Sequence, residues 1–293
     1  MAAVQSTSKI RKPSFVEVQG VLAPWNCDVS HVLFAIMYRP YPGDVIVASY
    51  PRCGGIWVSL LLYMLTHDAK QPEDQKAFFQ DCLFLEELGR KVEDVAPPRK
   101  LQTHLPAKKL RLSSAAKYIY VVRSYKDCCV SLYDFMITKA ADYRFKDGTF
   151  DEYFQSFIDG TMENNDYFDH LVSWWAHKND PNFFFVLLEN LKNNFEKCVV
   201  EMAEFLEGRA ARLVRDAEKL KRIVDLGTFD CSKLERDRGL DFLKEGDCFM
   251  NCVSCVDEYW KARLTEKQSE SLDLKFYEKT MGTPLEELFR KSS

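Results

Sequence analysis

Three stretches of this chain are apolar without alternation: Asp44-Val-Ile-Val-Ala-Ser-Tyr50, which breaks at Pro51, then Lys117-Tyr-Ile-Tyr-Val-Val122 and Asn182-Phe-Phe-Phe-Val-Leu-Leu188. A strand with one wet face alternates apolar and polar residues, so runs like these are stable only where both faces of a sheet are covered. Helical patterns lie between and after them: Val58–Leu65, Asp127–Thr138, Phe168–Lys178 with Trp174-Trp175, and Phe195, Val199, Met202 and Leu206 at helical spacing. Together they predict an α/β fold, a central parallel β-sheet flanked by helices. Arg99–His104 adds a short strand that ends before Pro106. Residues 71–95 read as loops and short helix, and residues 1–41, punctuated by Pro13, Pro24 and Pro40, as a lead-in segment. No Pro/Gly/Ser-rich linker divides the 293 residues, so residues 1–293 are expected to form a single domain.

The first strand runs through Pro51-Arg52-Cys53-Gly54-Gly55-Ile56-Trp57 straight into an apolar helix. A strand, glycine loop and helix start aim backbone N–H groups and the positive helix end at one point, which makes a seat for phosphate or sulfate. The loop is not a Walker A sequence. That needs a Lys and a magnesium-binding hydroxyl at the helix start, where this chain has adjacent glycines preceded by Arg52 and followed by Ile56-Trp57. Ligands of open parallel sheets sit beyond the carboxyl ends of the strands. Pro51–Gly55, His104 and Arg123 all fall at such ends and converge on one crevice.

The formal charge of −4 and pI near 5.8 supply no basic field, which disfavours nucleic acid as a partner. The N-terminus lacks a secretory pattern and the longest apolar stretch is too short to span a bilayer, so a soluble cytoplasmic protein with no membrane partner is expected. The ten cysteines then read as free thiols. Cys248, Cys252 and Cys255, with Cys231, lack the paired spacing and fourth ligand of a zinc site, and no metal is expected.

Three motifs in order resemble the cytosolic sulfotransferase family, whose members move a sulfuryl group from 3′-phosphoadenosine 5′-phosphosulfate (PAPS) to an alcohol, phenol or amine. The family's Tyr-Pro-Lys-Ser-Gly-Thr-Thr-Trp loop is similar to Tyr50-Pro-Arg-Cys-Gly-Gly-Ile-Trp57, its Lys-Thr-His-Leu-Pro to Gln102-Thr103-His104-Leu-Pro106, and its Tyr-x-x-Arg-Asn-x-Lys-Asp-x-x-Val-Ser to Tyr120–Ser131. The resemblance extends over nearly the whole chain. It implies His104 as the base that takes the acceptor's proton, a task suited to histidine's titration range. It also implies Arg52 and the loop N–H groups on the sulfate, with Arg123 and Ser131 on the 3′-phosphate, where a guanidinium fork and a hydroxyl suit a phosphate. Trp57 and Phe229 are implied on the two faces of the adenine, Lys244 and Gly246 in a phosphate clamp, and Gln102, Thr103 and His104 near the acceptor. Read from the residues alone, a lone histidine is more often a packed or surface group, Arg123 could pair with Asp127 at the surface, and either aromatic could be core.

Several positions depart from the family. Arg52 replaces a lysine, keeping the charge but unable to give up a proton. Gln102 replaces a second lysine, Leu188 falls where a tyrosine is common, and Glu245 stands in the clamp Phe242–Gly246 in place of a cation. Cys53, at a helix start beside Arg52, meets the conditions that lower a thiol pKa and is expected to be oxidisable, the other reading being a small residue packed under the loop. Lys261–Glu270 resembles the family's dimer signature with Glu266 at its apolar centre, which argues against dimerisation by that route and reads as a solvated helix start. A monomer or weak homodimer follows. The expected function is sulfuryl transfer to a small aromatic or apolar hydroxyl or amine compound, with Phe78, Phe79, Phe84 and Phe145 as candidate pocket aromatics. The rival is a catalytically weak or inactive homologue that keeps the fold and the nucleotide, and a third reading is a small-molecule P-loop kinase.

Overall fold

The computed structural model describes residues 11–227 and 258–289. Its centre is a five-stranded, all-parallel sheet built from β3 (Val45–Ser49), β4 (Cys82–Phe84), β5 (Lys100–Thr103), β6 (Lys117–Val122) and β7 (Phe183–Leu187), in the order β4-β5-β3-β6-β7. The unalternating runs are explained by the two cores. Ile46, Ala48, Tyr118, Tyr120 and Val122 pack on one face, and their sequence neighbours Val47, Ile119 and Val121 pack on the other. Beyond their first residues, the central strands β3 and β6 are therefore buried whichever way a side chain points.

The lead-in segment carries regular structure: a hairpin of β1 (Phe15–Val18) and β2 (Val21–Pro24), then α1 (Val29–Met37), capped by Asp28, whose side chain accepts from the N–H of Ser30. The helix α2 (Gly55–Thr66) follows β3. Between α2 and β5 the chain forms α3 (Gln75–Asp81), the edge strand β4, and the single turn α4 (Leu85–Leu88). Next come α5 (Tyr125–Thr138), α6 (Ala140–Tyr143), α7 (Phe150–Ile158) and α8 (Tyr167–Trp175). After β7 lie α9 (Leu188–Asn193), α10 (Phe195–Leu206), α11 (Gly208–Leu213) and α12 (Ala217–Gly227). Helices α2, α10, α11 and α12 cover one face, and α5, α7 and α8 the other. The last long helix, α13 (Glu266–Thr280), joins α5 and α8 through Leu272 and Phe276.

The segment similar to a dimer signature has a local role. Thr265 caps α13, its hydroxyl accepting from the N–H of Gln268 while the Gln268 side chain accepts from the N–H of Thr265. A reciprocal capping box satisfies two end groups of the helix at once.

Strand β3 lies between β5 and β6, and the chain leaves it toward β4 and β5 on one side before returning to β6 and β7 on the other. That reversal is the topological switch point, where the loops diverge and open a crevice. The loop at Pro51–Gly54 sits on it.

Candidate active site

The loop after β3 is bent by two left-handed residues, Arg52 (φ 67°) and Gly54 (φ 91°). At Gly54 a side chain is excluded by space as well, because an added Cβ would lie 2.6 Å from Cδ1 of Leu188. At Gly55 an added Cβ would lie 2.7 Å from the Ser49 hydroxyl. Two bare backbone positions thus lead into the first turn of α2, whose N–H groups have no acceptor within the helix. Arg52, Gly54, Gly55 and Ile56 are only half-buried, so this turn is reachable. The residues fit a phosphosulfate: a cradle that tolerates no Cβ, a helix start and two arginines.

Arg123 ends β6 and is buried, so the reading of a surface ion pair does not hold. Its Nη1 donates to the Arg52 carbonyl at 3.1 Å, and Nε of Arg52 donates to Oγ of Ser131 at 3.3 Å with the guanidinium 5.1 Å from the Phe135 ring centre. Arg52 therefore links the expected 3′-phosphate pair, Arg123 and Ser131, to the loop. The hydroxyl of Tyr167 donates to the Arg123 carbonyl at 2.6 Å and pins the end of β6.

The Cys53 thiol is 1% exposed and faces the core, its Sγ 3.6 Å from Sγ of Cys128. Of the two readings of Cys53, an oxidisable thiol or a small residue packed under the loop, the structure agrees with the second, and this seat removes the access that oxidation needs. Trp57 is also buried, with Nε1 donating to the Gly227 carbonyl at 2.8 Å and Phe195 stacked on its indole at 5.8 Å. Phe229, Lys244, Gly246 and the cysteines 231, 248, 252 and 255 lie outside the described residues. Among the described residues no group of His, Cys, Asp and Glu is arranged to hold a metal ion.

His104 follows the end of β5 and is held at three atoms. Its N–H donates to Oε1 of Glu86 at 2.7 Å, its carbonyl accepts from Nε2 of His170 at 3.0 Å, and its Nδ1 lies 2.8 Å from the Ser49 carbonyl. A carbonyl only accepts, so Nδ1 carries the proton and Nε2 keeps its lone pair. That is the tautomer a base requires. Burial lowers the His104 pKa to about 4, with the Arg52 charge acting in the same direction and the Ser49 bond opposing them. His170 is fixed in turn by the Tyr120 hydroxyl on Nδ1 at 2.9 Å, and burial lowers it to about 3.

Two neighbours expected at the acceptor are engaged elsewhere. Gln102 is buried with its amide toward the Cys82 carbonyl at 3.5 Å, and the Thr103 hydroxyl donates to Glu86 at 2.8 Å while accepting from the N–H of Leu105. Of the four phenylalanines, Phe84 reaches the site, lying edge-on to His104 at 5.0 Å. Phe78 and Phe145 are buried in the two cores, and Phe79 packs on Phe78.

A chamber of about 120 Å³ opens beside His104, with an apolar wall that includes Val21, Ala23 and Val32, and with Glu86, Glu87 and Glu163 among its lining groups. Glu86 is the residue the sequence reading missed. Its Oε1 holds both Thr103 and His104, and burial pushes its pKa up to about 7. No spacing rule points to it, because α4 reaches His104 only through the β4–β5 pairing.

An open parallel sheet with a glycine-loop anion seat at its switch point and a base-ready histidine on the next strand defines a group-transfer site for an anionic donor. The sulfotransferase domain model matches residues 42–284, and the chain belongs to the sulfotransferase family, transferases of sulfur-containing groups. It is similar to an amine sulfotransferase of Oryctolagus cuniculus, 29% identical over 258 residues covering 83% of this chain and 82% of the relative. Human sulfotransferase 1E1 is 27% identical over 286 residues, 91% of this chain and 93% of the relative. Among solved structures, mouse sulfotransferase SULT7A1 complexed with PAP superposes with a TM-score of 0.70 at 19% identity, covering 95% of this chain and 98% of the other. Retinol dehydratase in complex with androsterone and inactive cofactor PAP gives 0.70 at 17% identity, with 94% and 92% covered. These structural likenesses establish the fold. Among the described residues no helix is long and apolar enough to cross a membrane.

Proposed function

We propose that this chain transfers a sulfuryl group from PAPS to a hydroxyl or amine of a small acceptor, with His104 as the general base. The observation that carries this reading is the contact between Nδ1 of His104 and the Ser49 carbonyl: it commits Nδ1–H and leaves Nε2 able to receive a proton on a residue that lines the chamber. The donor supplies an activated sulfuryl group on a phosphate that leaves as a stable anion. The chain's residues hold and orient. The first turn of α2, Gly54 and Gly55 receive the 5′ end, Arg52 offsets charge there, and Arg123 with Ser131 receives the 3′-phosphate. In the transfer, the acceptor oxygen or nitrogen forms a bond to sulfur, the bond from sulfur to the phosphate oxygen breaks, and the acceptor's proton goes to Nε2 of His104.

A histidine with a pKa near 4 is a weak base, but an anion in the loop favours the protonated form and raises that pKa when the donor is present. The site thus keeps His104 neutral in the free chain and makes it a stronger base once the donor is bound. An acceptor screen with PAPS tests the reading, together with a His104→Ala variant that is expected to lose about 10²–10⁴-fold in kcat while still binding nucleotide. Full turnover in that variant would remove His104 from the mechanism. A chain that binds PAP and transfers to no acceptor would be a nucleotide-binding homologue without activity.

A further inference from the structure

A second cleft opens beside the turn that follows His104. Its volume is about 550 Å³, within the range of small-molecule sites, and it is bounded by the β1–β2 turn, the segment between α7 and α8, and one side of α13. It shares Asn164 with the chamber and is lined by His170, which holds the His104 carbonyl.

The carboxylates of this cleft already have partners. Asp166 caps α8 through Oδ1, accepting from the N–H groups of Phe168 and Asp169 at 2.8 and 2.9 Å, and its Oδ2 pairs with Lys275, which also donates to the Ile158 carbonyl. Asp169 pairs with Lys279 at 2.6 Å, and the exposed Asp159 accepts from the Gln155 amide at 2.9 Å. Two cations have no carboxylate. Lys109 donates at 2.6 Å to the Gln19 carbonyl, a neutral group, and the exposed side chain of Lys108 makes no hydrogen bond or ion pair among the described residues. The Lys108 charge acts within the cleft, since after burial it is among the causes that lower the His170 pKa. One neutral group points the same way. Asn164 is 6% exposed, its main-chain N–H donates to the Leu22 carbonyl at 2.8 Å, and its side-chain amide has no partner among the described residues. A buried amide left unpaired is costly, so a polar atom in the cleft is favoured beside it.

Two ammonium groups and an amide suit a compact anion rich in acceptor oxygens. A phosphate monoester offers three such oxygens and about two charges at neutral pH. A carboxylate brings fewer oxygens and a single charge. The remainder of the lining, with Asp159, Asn165 and Asp169, is polar, so an aromatic body would cover carboxylates without bonding to them. Hydroxyl groups would donate to them instead.

We propose that this cleft binds a small phosphate ester of a hydroxylated compound, of sugar-phosphate size, with the phosphate on Lys108, Lys109 and the Asn164 amide and the hydroxyls on Asp159 and Asp169. The proposal does not rest on the transferase reading, since no lining residue belongs to the nucleotide seat.

Calorimetric titration of the full chain with glucose 6-phosphate tests it, beside glucose 6-sulfate and inorganic phosphate. Glucose 6-phosphate is expected to bind saturably, and at least about tenfold more tightly than the sulfate, which has one charge fewer; that factor is what about 1.4 kcal/mol produces. Inorganic phosphate, lacking hydroxyls, is expected to bind more weakly. Lys108→Glu is expected to weaken glucose 6-phosphate at least about tenfold by the same reasoning. Asn164→Asp, a residue type that tolerates the φ of 58° at this position, is expected to abolish binding. Lys108 is exposed, so its variant is expected to keep the urea midpoint of the native chain and reads the site even if Asn164→Asp does not fold. Arg123→Lys is expected to leave the affinity unchanged, which separates this cleft from the nucleotide seat. No saturable binding at millimolar glucose 6-phosphate, undiminished binding in Lys108→Glu, or binding weakened by Arg123→Lys in its place would overturn the proposal. Equal affinity for inorganic phosphate would overturn the hydroxylated body.

Discussion

Replacing Gly54 by alanine strains the phosphosulfate loop in two separable ways. Gly54 has φ 91°, a region where a Cβ costs roughly 1–2 kcal/mol through its clash with the backbone. The same Cβ would stand 2.6 Å from Cδ1 of Leu188, which is itself 5% exposed and packed in the core, so relief requires the side chain or the loop to move. Overpacking of this kind costs about 1–3 kcal/mol, and the two effects together give about 2–5 kcal/mol. Urea unfolding followed by circular dichroism reads the total. A cycle with Leu188→Ala separates the parts, because truncating Leu188 removes the steric partner and leaves the backbone cost. Gly54→Ala is therefore expected to cost its full amount in the native background and only about 1–2 kcal/mol beside Leu188→Ala. Equal costs in the two backgrounds would refute the packing half of the argument. A cost below about 0.5 kcal/mol in both would refute the backbone half as well, since that is the ordinary scatter of surface changes.

Two further outcomes follow from the titrating groups. The low pKa of His104, near 4, places the acid limb of the kcat/KM profile below pH 5, while the limb in kcat lies higher because the bound anion favours the imidazolium; an acid limb in kcat/KM at pH 6.5 or above would contradict the burial argument. Glu86 is raised to about 7 in the folded chain, so its contribution to stability is complete below the usual carboxylate range near 4.5 and is lost as pH rises through 7. The urea midpoint of the native chain, relative to that of Glu86→Gln, is expected to fall between pH 4.5 and 7; a constant difference would show that Glu86 ionises freely.

What could be read from the sequence was what local chemistry dictates. Val45–Ser49, Lys117–Val122 and Phe183–Leu187 were legible because burial on both faces leaves an unbroken apolar run, and α2 because it follows a glycine pair directly. Strand β4 was not, since Cys82–Phe84 is three residues long in a polar stretch and exists through its pairing with β5. The hairpin of residues 15–24 turns on Gln19 and Gly20, both at positive φ, without the Asn-Gly or Asp-Gly pair that usually announces such a turn. At the site, motif order pointed to Arg52, His104, Arg123 and Ser131. The groups that orient His104, namely Ser49, Glu86 and His170, arrive from three elements with no sequence spacing to link them. Gln102 shows the limit of reading by position: it occupies a motif site, but its amide is turned under β4.

The central claim is that the loop at Pro51–Trp57, with Arg123 and Ser131, seats the nucleotide of a sulfuryl donor. Calorimetric titration of the chain with 3′-phosphoadenosine 5′-phosphate tests it most directly. Saturable one-to-one binding is expected, weakened by Arg123→Lys because a point charge replaces a planar fork on the phosphate. No heat of binding at millimolar nucleotide, or binding of magnesium ATP in its place, would contradict the account.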